Sequence, residues 1–362
     1  MNERKTAVEA DYESSAAEAA KAAADRYSRQ ERFAPFGREG QRKLRASHAL
    51  IIGAGALGTS IAETLVRSGI GTVTIADRDY VEWSNLQRQQ LFAESDAAQR
   101  TPKAIAAKRR LEEINSECLI HAHVLDIDGE ALEELAADVD VIMDATDNFD
   151  TRLIINDVAQ KLGVPWIYGG CVGSYGITFT IIPGETPCLN CLLGTIPGGG
   201  DTCDTAGILP QAVQMVTAHQ TAEAFKLLSG HKEALRGKLL SFDVWRNENV
   251  AISVAGAKKE DCPSCGKNRV YPYLMAANRQ KADVLCGRDT VQIRPARRAK
   301  LDLEATAARL ASTGDGLVES NPFLVSFAAG KHRMVVFEDG RTLIHGTNDI
   351  AEARVFYHRY FG

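Results

Sequence analysis

The feature that most constrains the fold of this chain is a glycine-rich turn between an apolar segment and a helical one. The apolar segment covers residues 48–52, and the turn that follows it is Gly53-x-Gly55-x-x-Gly58. A second β-like segment ends at Asp77, and helical and strand-like segments then alternate as far as the middle of the chain. Strands that alternate with helices of about 10–15 residues predict a parallel sheet with right-handed crossovers.

The pattern changes after Val164. β-like segments surround one long helical stretch, 208–228, and this arrangement predicts an antiparallel extension of the sheet. A further mixture of strand-like and helical segments begins at residue 281, and its first run, 284–293, is expected to form one strand. We therefore predict an α/β fold with a Rossmann-like, mostly parallel sheet, an antiparallel extension and a small C-terminal α+β domain. The predicted organisation is a flexible N-terminal tail at 1–25, a main domain at 26–268 and a C-terminal domain at 281–362.

Composition and charge exclude several classes of protein. The 362 residues are 45% hydrophobic and 25% charged, which is ordinary for a folded chain and excludes wholesale disorder. The net charge of -5 gives no reason to expect a nucleic-acid partner, and the apolar runs are too short to span a membrane. The chain starts with acidic, alanine-rich sequence and not with an apolar signal region, so we expect a cytoplasmic protein.

The glycine turn predicts a nucleotide site. Gly53, Gly55 and Gly58 permit a tight turn and a close approach of the backbone, and the helix that begins near Ala56 offers its first amides to a phosphate. Asp77 ends the next strand and is placed to accept hydrogen bonds from ribose hydroxyls. The motif alone does not distinguish ATP from NAD, so an NAD-dependent oxidoreductase stays open at this point.

Four of the eight cysteines form two Cys-x-x-Cys pairs, Cys188/Cys191 and Cys262/Cys265. Disulfides are not expected in a cytoplasmic chain, because that compartment keeps thiols reduced. Two such pairs supply four thiolates in tetrahedral geometry, which suits Zn²⁺ and leaves no open position for catalysis. We predict a structural zinc site that joins the start of the antiparallel extension to the end of the main domain. Four free thiols are the alternative.

Charged and polar side chains follow the ends of the predicted parallel strands, where such folds bind ligands. They stand in four segments: Asp77-Arg78-Asp79, Ser84-Asn85-Leu86-Gln87-Arg88-Gln89, Thr101-Pro102-Lys103 and Asp147-Asn148. An arginine, a lysine and an aspartate that converge there would neutralise a triphosphate and hold Mg²⁺, as nucleotidyl transfer requires. Taken singly, each of these residues is equally consistent with a solvated surface charge.

The order of these segments resembles that of the MoeB/ThiF adenylyltransferases, the bacterial relatives of ubiquitin-activating enzymes. The resemblance covers about residues 26–268. It rests on Arg26-Tyr27-Ser28-Arg29-Gln30, the glycine turn, Asn85-Leu86-Gln87-Arg88-Gln89, Thr101-Pro102-Lys103, Ala145-Thr146-Asp147-Asn148 and the paired cysteine motifs. One departure is Ala56, where that family usually has a glycine.

The resemblance implies an activity, partners and residue roles. The chain would be an ATP- and Mg²⁺-dependent homodimer that adenylates the C-terminal glycine of a small β-grasp sulfur-carrier protein ending in Gly-Gly. A cysteine desulfurase is a further candidate partner. The implied ribose ligand is Asp77, and Asp79 is a further implied nucleotide-binding residue. The other implied contacts are Ser84, Asn85, Leu86, Gln87, Arg88 and Lys103 at the phosphates, and Asp147 and Asn148 at the metal and nucleotide. Arg29 would reach across the dimer to the ATP of the partner subunit.

The resemblance also places Cys203 where a cysteine can link covalently to the activated carrier. A thiolate near the N-terminus of the long predicted helix would be favoured, but the acidic neighbours of Cys203 oppose it, and an unreactive loop thiol is the alternative. A nucleotide-sensing scaffold for a β-grasp protein is the non-enzymatic alternative. The motifs do not decide between thiamine thiazole, molybdopterin and other sulfur pathways, although the sequence around Cys203 and the added C-terminal region favour the thiazole branch.

Overall fold

The structure of the chain is a computed structural model that describes residues 26–193, 206–275, 282–284, 289–294 and 300–361. The predicted N-terminal tail, 1–25, and the candidate nucleophile Cys203 lie outside these residues. The described part of the chain contains two β-sheets.

The main sheet has eight strands among the described residues. In chain order they are β1 His48–Ile52, β2 Thr72–Asp77, β3 Leu119–Val124, β4 Val141–Asp144, β5 Trp166–Val172, β6 Tyr175–Ile181, β7 Leu239–Asp243 and β8 Glu248–Ile252. Their spatial order is β3-β2-β1-β4-β5-β6-β7-β8. The pairs from β3 to β5 are parallel, and the pairs from β5 to β8 are antiparallel. The predicted parallel sheet with its antiparallel extension is confirmed.

The helices that accompany this sheet are α1 Ser28–Glu31, α2 Gly37–Arg45, α3 Ala56–Arg67, α4 Glu94–Ala98, α5 Lys103–Ile114, α6 Gly129–Leu135, α7 Phe149–Leu162, α8 Leu189–Leu192 and α9 Pro210–Ser229. Residues 26–45 form two helices, α1 and α2, and not one continuous helix. Gly37 has a φ of +60°, a left-handed conformation that a continuous right-handed helix does not contain. The segment therefore forms two helices.

Both faces of the central strand β1 are covered. In β1, Ala49 and Ile51 face a core that contains residues of α3, α5 and α9. Leu50 and Ile52 face a second core that contains residues of α6 and α7. Burial on both faces explains why the strand is a continuous apolar run and does not alternate with polar residues.

The C-terminal unit, residues 282–361, forms a second sheet with two helices. Its strands are β9 Ala282–Val284, β10 Thr290–Ile293, β11 Leu317–Asn321, β12 Leu324–Ala329, β13 His332–Phe337 and β14 Thr342–His345, and its helices are α10 Leu303–Ser312 and α11 Ile350–Tyr360. The strand order among the described residues is β11-β12-β13-β14-β10-β9. This arrangement confirms the predicted small α+β region.

Two expectations for the C-terminal unit were incomplete. The run 284–293 was expected to be one strand, but β9 and β10 pair antiparallel, so the chain reverses between them. Strand β11 was not predicted, because its residues are mostly polar and exposed and lack the apolar alternation that marks a half-buried strand.

Among the described residues, no helix combines the length and the apolar character that crossing a membrane requires.

Candidate active site and cysteine cluster

The glycine turn lies between β1 and α3, at the carboxyl ends of the parallel strands. Gly53 has a φ of +99°, and a Cβ on it would lie 2.6 Å from the carbonyl oxygen of Ala145. A Cβ on Gly58 would lie 1.9 Å from the oxygen of Gly53. Packing therefore requires both glycines. At Gly55 a Cβ would meet little except the Gln89 side chain at 4.0 Å, so this position is open to a ligand that approaches the backbone.

Asp77 and Asp79 connect the glycine turn to Lys103. The amides of Ala54 and Asp79 donate to the two carboxylate oxygens of Asp77, at 2.6 and 2.7 Å. Burial raises the pKa of Asp77, and the lysine only partly opposes this effect. The Nζ atom of Lys103 lies 3.4 Å from Oδ2 of Asp79, and the lysine is 4% exposed. The structure thus holds one buried positive charge beside the predicted ribose ligand.

The segment that contains Ser84 and Arg88 forms a short 3₁₀ turn, Trp83–Asn85. The buried side chain of Asn85 stabilises this turn, since its Oδ1 accepts a hydrogen bond from the amide of Glu82 at 3.0 Å. Arg88 donates to the backbone oxygen of Ser84 at 2.9 Å. A small cavity opens between this segment and α9; it is lined by Leu86, Gln87, Arg88, Gln90, Pro210, Val213 and Gln214. Gln87 and Arg88 can therefore meet a ligand.

Asp147 and Asn148 follow β4, so they lie at the same carboxyl edge of the sheet as the glycine turn and Asp77, an edge that we call the crevice. Asp147 is exposed, while Oδ1 of Asn148 caps α7 by accepting from the amide of Thr151 at 2.8 Å. Burial would lower the pKa of Arg78, but Asp126, Asp79, Asp147 and Asp77 outweigh burial and raise it. The carboxylates of Asp147 and Asp77 therefore lie within electrostatic reach of the same guanidinium group.

The sequence analysis missed Arg152, which holds the Asp147 loop in place. Its Nε donates to Oδ2 of Asp144 at 2.9 Å, and its Nη2 donates to the backbone oxygens of Thr146 and Gly169 at 2.7 and 2.9 Å. Both charged side chains are buried. The sequence does contain a signal for this role. Arg152 occupies the same helical face as the buried Ile155 and Ala159, and a charge on a buried face needs a partner.

Arg29 does not join the crevice of its own chain. It is exposed on α1, and its neighbour Gln30 donates to the backbone oxygen of Ser68 at 3.1 Å. Ser68 caps the carboxyl end of α3, whose first residues form the glycine turn. Because a 12-residue helix is about 18 Å long, α1 lies at the opposite end of α3 from the site.

The four paired cysteines form one buried cluster, whose sulfur atoms all lie within 4.8 Å of one another. The Cys188–Cys191, Cys188–Cys262 and Cys191–Cys265 sulfur distances are 3.9, 3.6 and 3.5 Å. Zn–S bonds of about 2.3 Å in a tetrahedron place sulfurs about 3.8 Å apart. The cluster therefore has the donor set and dimensions of a structural zinc site.

Burial disfavours the thiolate form of two of these cysteines. It raises the pKa of Cys188, and it raises the pKa of Cys265 to about 11. Four buried thiolates without a metal would be costly, whereas a bound divalent cation favours the deprotonated form. The remaining described cysteines, Cys118 and Cys171, stand apart from the cluster, and Cys118 is buried as expected for a core cysteine.

Comparisons with known proteins agree with this geometry. The ThiF family model matches residues 27–264. The chain is 55% identical over 337 residues to the sulfur carrier protein ThiS adenylyltransferase of Bacillus subtilis, and the match covers 93% of this chain and 99% of that relative. It is 38% identical to the Escherichia coli protein of the same name, over 68% of this chain and 97% of the relative.

Solved structures show the same fold. The crystal structure of Escherichia coli MccB with ATP has a TM-score of 0.55 and 24% identity, and the match covers 63% of this chain and 69% of that chain. This likeness concerns the fold.

Proposed function

The chain belongs to the ThiF family, and from that premise we propose that it adenylates the C-terminal glycine of a small β-grasp sulfur-carrier protein in thiamine biosynthesis. The observation that carries the proposal is the near full-length similarity to a sulfur carrier protein ThiS adenylyltransferase. The crevice that holds the glycine turn, Asp77 and Lys103 supports it. An NAD-dependent oxidoreductase or a non-catalytic scaffold is not favoured, since the relatives are named adenylyltransferases.

In the proposed reaction a carboxylate oxygen of the carrier attacks the α-phosphorus of ATP, the bond to the β-phosphate oxygen breaks, and pyrophosphate leaves. A carboxylate is already ionised at neutral pH, so the step needs no general base. It brings two anions together, and the site must therefore supply positive charge. We assign this role to Lys103 and Arg88, while Asp77 binds the ribose and the backbone at Gly55 lies against the phosphates.

A magnesium ion bound with ATP would neutralise phosphate charge and help orient the leaving group. Asp147 fits such an ion, because its exposed carboxylate offers the oxygen ligands that Mg²⁺ prefers. Asn148 can contribute its amide nitrogen to the nucleotide while its Oδ1 caps α7. Ser84, Asn85, Leu86 and Gln87 complete the phosphate side of the proposed site.

We assign Zn²⁺ to the cysteine cluster in a structural role, since four thiolates fill a tetrahedral coordination sphere. The site joins the segment after β6 to the segment after β8. Maintaining such thiolates requires a reducing compartment, which supports a cytoplasmic location.

The proposed assembly is a homodimer in which Arg29 acts on the ATP of the partner subunit. Its support is the placement of α1 at the end of α3 remote from the glycine turn. A two-fold interface brings the same segment of each subunit to the other symmetrically. Cys203 stays a proposed nucleophile for a later covalent step, and a cysteine desulfurase stays a proposed partner.

The test is carrier-dependent exchange of labelled pyrophosphate into ATP. We expect exchange with a β-grasp carrier that ends in Gly-Gly and none with a carrier that lacks the last glycine. Lys103→Ala should lower the exchange rate about 10²–10³-fold, because it removes one preorganised charge at the transition state. Lys108→Ala, a change on the solvent side of the same helix, is the matched control. Exchange that is independent of the carrier, or equal in both variants, would contradict the proposal.

A further inference from the structure

The C-terminal unit packs against the end of β2, beside the proposed nucleotide site. Tyr80, three residues after Asp77, is 4% exposed and packs among Leu324, Phe337 and other apolar residues of the second sheet. Its hydroxyl accepts a hydrogen bond from Arg333 at 2.9 Å and lies 3.0 Å from Nε2 of His345.

A second set of contacts holds Arg78, which lies two residues before Tyr80 in the loop after β2. Arg78 donates to Oδ1 of Asp126 at 3.3 Å. The Oδ2 atom of Asp126 accepts from Gln292 at 2.8 Å and from Arg294. Burial would raise the pKa of Asp126, but Arg78, Arg294 and Arg341 outweigh burial and lower it. Asp126 is thus an ionised link between the main sheet and the C-terminal unit.

Arg341 adds to this link. It is 2% exposed, and its guanidinium carbon lies 3.8 Å from the centre of the Phe337 ring. Its side-chain nitrogen atoms have no hydrogen-bond partner in the described part of the chain, although Nε lies 3.7 Å from Oδ2 of Asp339. Burial lowers the pKa of Arg341, and Asp339, Asp126 and Asp79 oppose this. Its charge therefore acts on the same carboxylates as Arg78 and Arg294.

Asp79 lies between Arg78 and Tyr80, the two residues that these contacts hold in place. Its carboxylate contacts Lys103 at 3.4 Å, and its backbone oxygen accepts from the amide of Lys103 at 2.9 Å. The amide of Asp79 also donates to Asp77. Any movement of residues 78–80 would consequently displace the predicted ribose ligand and the buried lysine together.

We propose that the C-terminal unit is a positioning element of the nucleotide site. Gln292 and Arg294 act through Asp126 and Arg78, and Arg333 and His345 act through Tyr80. Together they hold Asp77, Asp79 and Lys103 in the arrangement that binds ATP, so that less ordering remains to be done when the nucleotide enters. This inference takes ATP as the ligand from the proposed function, and it predicts an effect on nucleotide affinity.

The experiment measures ATP·Mg²⁺ affinity by calorimetry without the carrier, together with KM and kcat of the exchange reaction. Asp126→Asn leaves Arg78 and Arg294 without their shared carboxylate and should weaken ATP binding on the order of tenfold. Tyr80→Phe keeps the ring and removes only the hydroxyl, so we expect about a threefold loss. Both variants should raise KM for ATP and leave kcat within about twofold of the wild type.

Rescue and control variants distinguish positioning from a general loss of structure. Arg294→Gln should weaken ATP binding, and Arg294→Lys, which keeps the charge, should restore part of the loss. Arg354→Gln changes an exposed arginine of the same unit and should bind ATP as the wild type does.

Wild-type ATP affinity in Asp126→Asn and Tyr80→Phe, with folding verified by circular dichroism, would overturn the inference. So would a fall in kcat with KM unchanged. A wild-type chain that binds ATP without modifying the carrier would contradict the proposed function alone, because the calorimetric comparison of variants would still decide the positioning role.

Discussion

The cysteine cluster and the nucleotide crevice differ in how complete each site is within one chain. The cluster brings its four ligand atoms within 4.8 Å of one another, and all four residues are buried. In the crevice, Asp77, Asp79 and Lys103 are already connected, but Asp147 is exposed and Arg29 lies at the far end of α3. A permanent structural ion requires a closed site, whereas a substrate that enters and leaves requires an open one.

The cysteine cluster and the crevice also differ in the range of the contacts that complete them. Each Cys-x-x-Cys turn is local in sequence, so a single long-range contact between two turns completes the cluster. The crevice depends on several loops that follow different strands, and those loops are held by groups such as Arg152 and Asp126 that do not belong to any local motif. Consequently, we expect changes at the cluster to affect the fold, changes at crevice residues that meet the ligand to affect activity, and changes at the buried groups that hold its loops to affect stability.

The largest effect should follow loss of the cluster. Cys262→Ser with Cys265→Ser should reduce bound zinc from about one per chain to nearly none, since two thiolates cannot complete the tetrahedron. Binding of structural zinc contributes on the order of 10 kcal/mol in small metal-dependent domains, so we expect a large fall in the unfolding temperature. Metal analysis and thermal unfolding measure the two effects, with Cys118→Ala as the zinc-content control. Full zinc occupancy in the double variant would disprove the four-cysteine assignment.

A smaller loss of stability should follow removal of Arg152. Arg152→Met leaves Asp144 buried without its ionic partner, and breaking such a pair typically costs about 3–5 kcal/mol. Denaturant unfolding should show this change, while Arg109→Met, at an exposed position of α5, should leave stability nearly unchanged. Zinc content should stay at the wild-type level, because the substitution leaves all four cysteine ligands in place. Equal stability of the two variants would mean that the pair does not support the crevice.

The smallest effect tests whether the crevice is completed by a second chain. Arg29→Ala and Lys103→Ala subunits are each expected to be inactive alone. If Arg29 acts in trans, half of the dimers are mixed after complete subunit exchange, and each mixed dimer has one intact site, so roughly a quarter of wild-type activity should return. The pyrophosphate exchange assay measures this recovery. No recovery in a heterodimer verified by mass spectrometry would place Arg29 in its own site.

Sequence patterns predicted the elements of the main sheet well, because both faces of its central strands are buried and its helices are strongly periodic. The glycine turn and the paired cysteines were also recognisable, since their function depends on neighbours in the sequence. The patterns were less informative in the C-terminal unit. Strand β11 is polar and exposed, and the reversal between β9 and β10 has no turn motif that the sequence analysis recognised.

By itself the sequence determined the chemistry that local geometry controls: glycines at a tight turn, two chelating turns, and an aspartate at the end of the next strand. Only the tertiary structure decided that Arg152 pairs with Asp144, that α1 carries Arg29 away from the crevice, and that the C-terminal unit meets the end of β2 at Arg78 and Tyr80. The physical reason is the range of the contacts. A turn or a chelating pair is specified by a few adjacent residues, whereas a buried ion pair or an interdomain contact joins residues whose proximity depends on the packing of the whole chain.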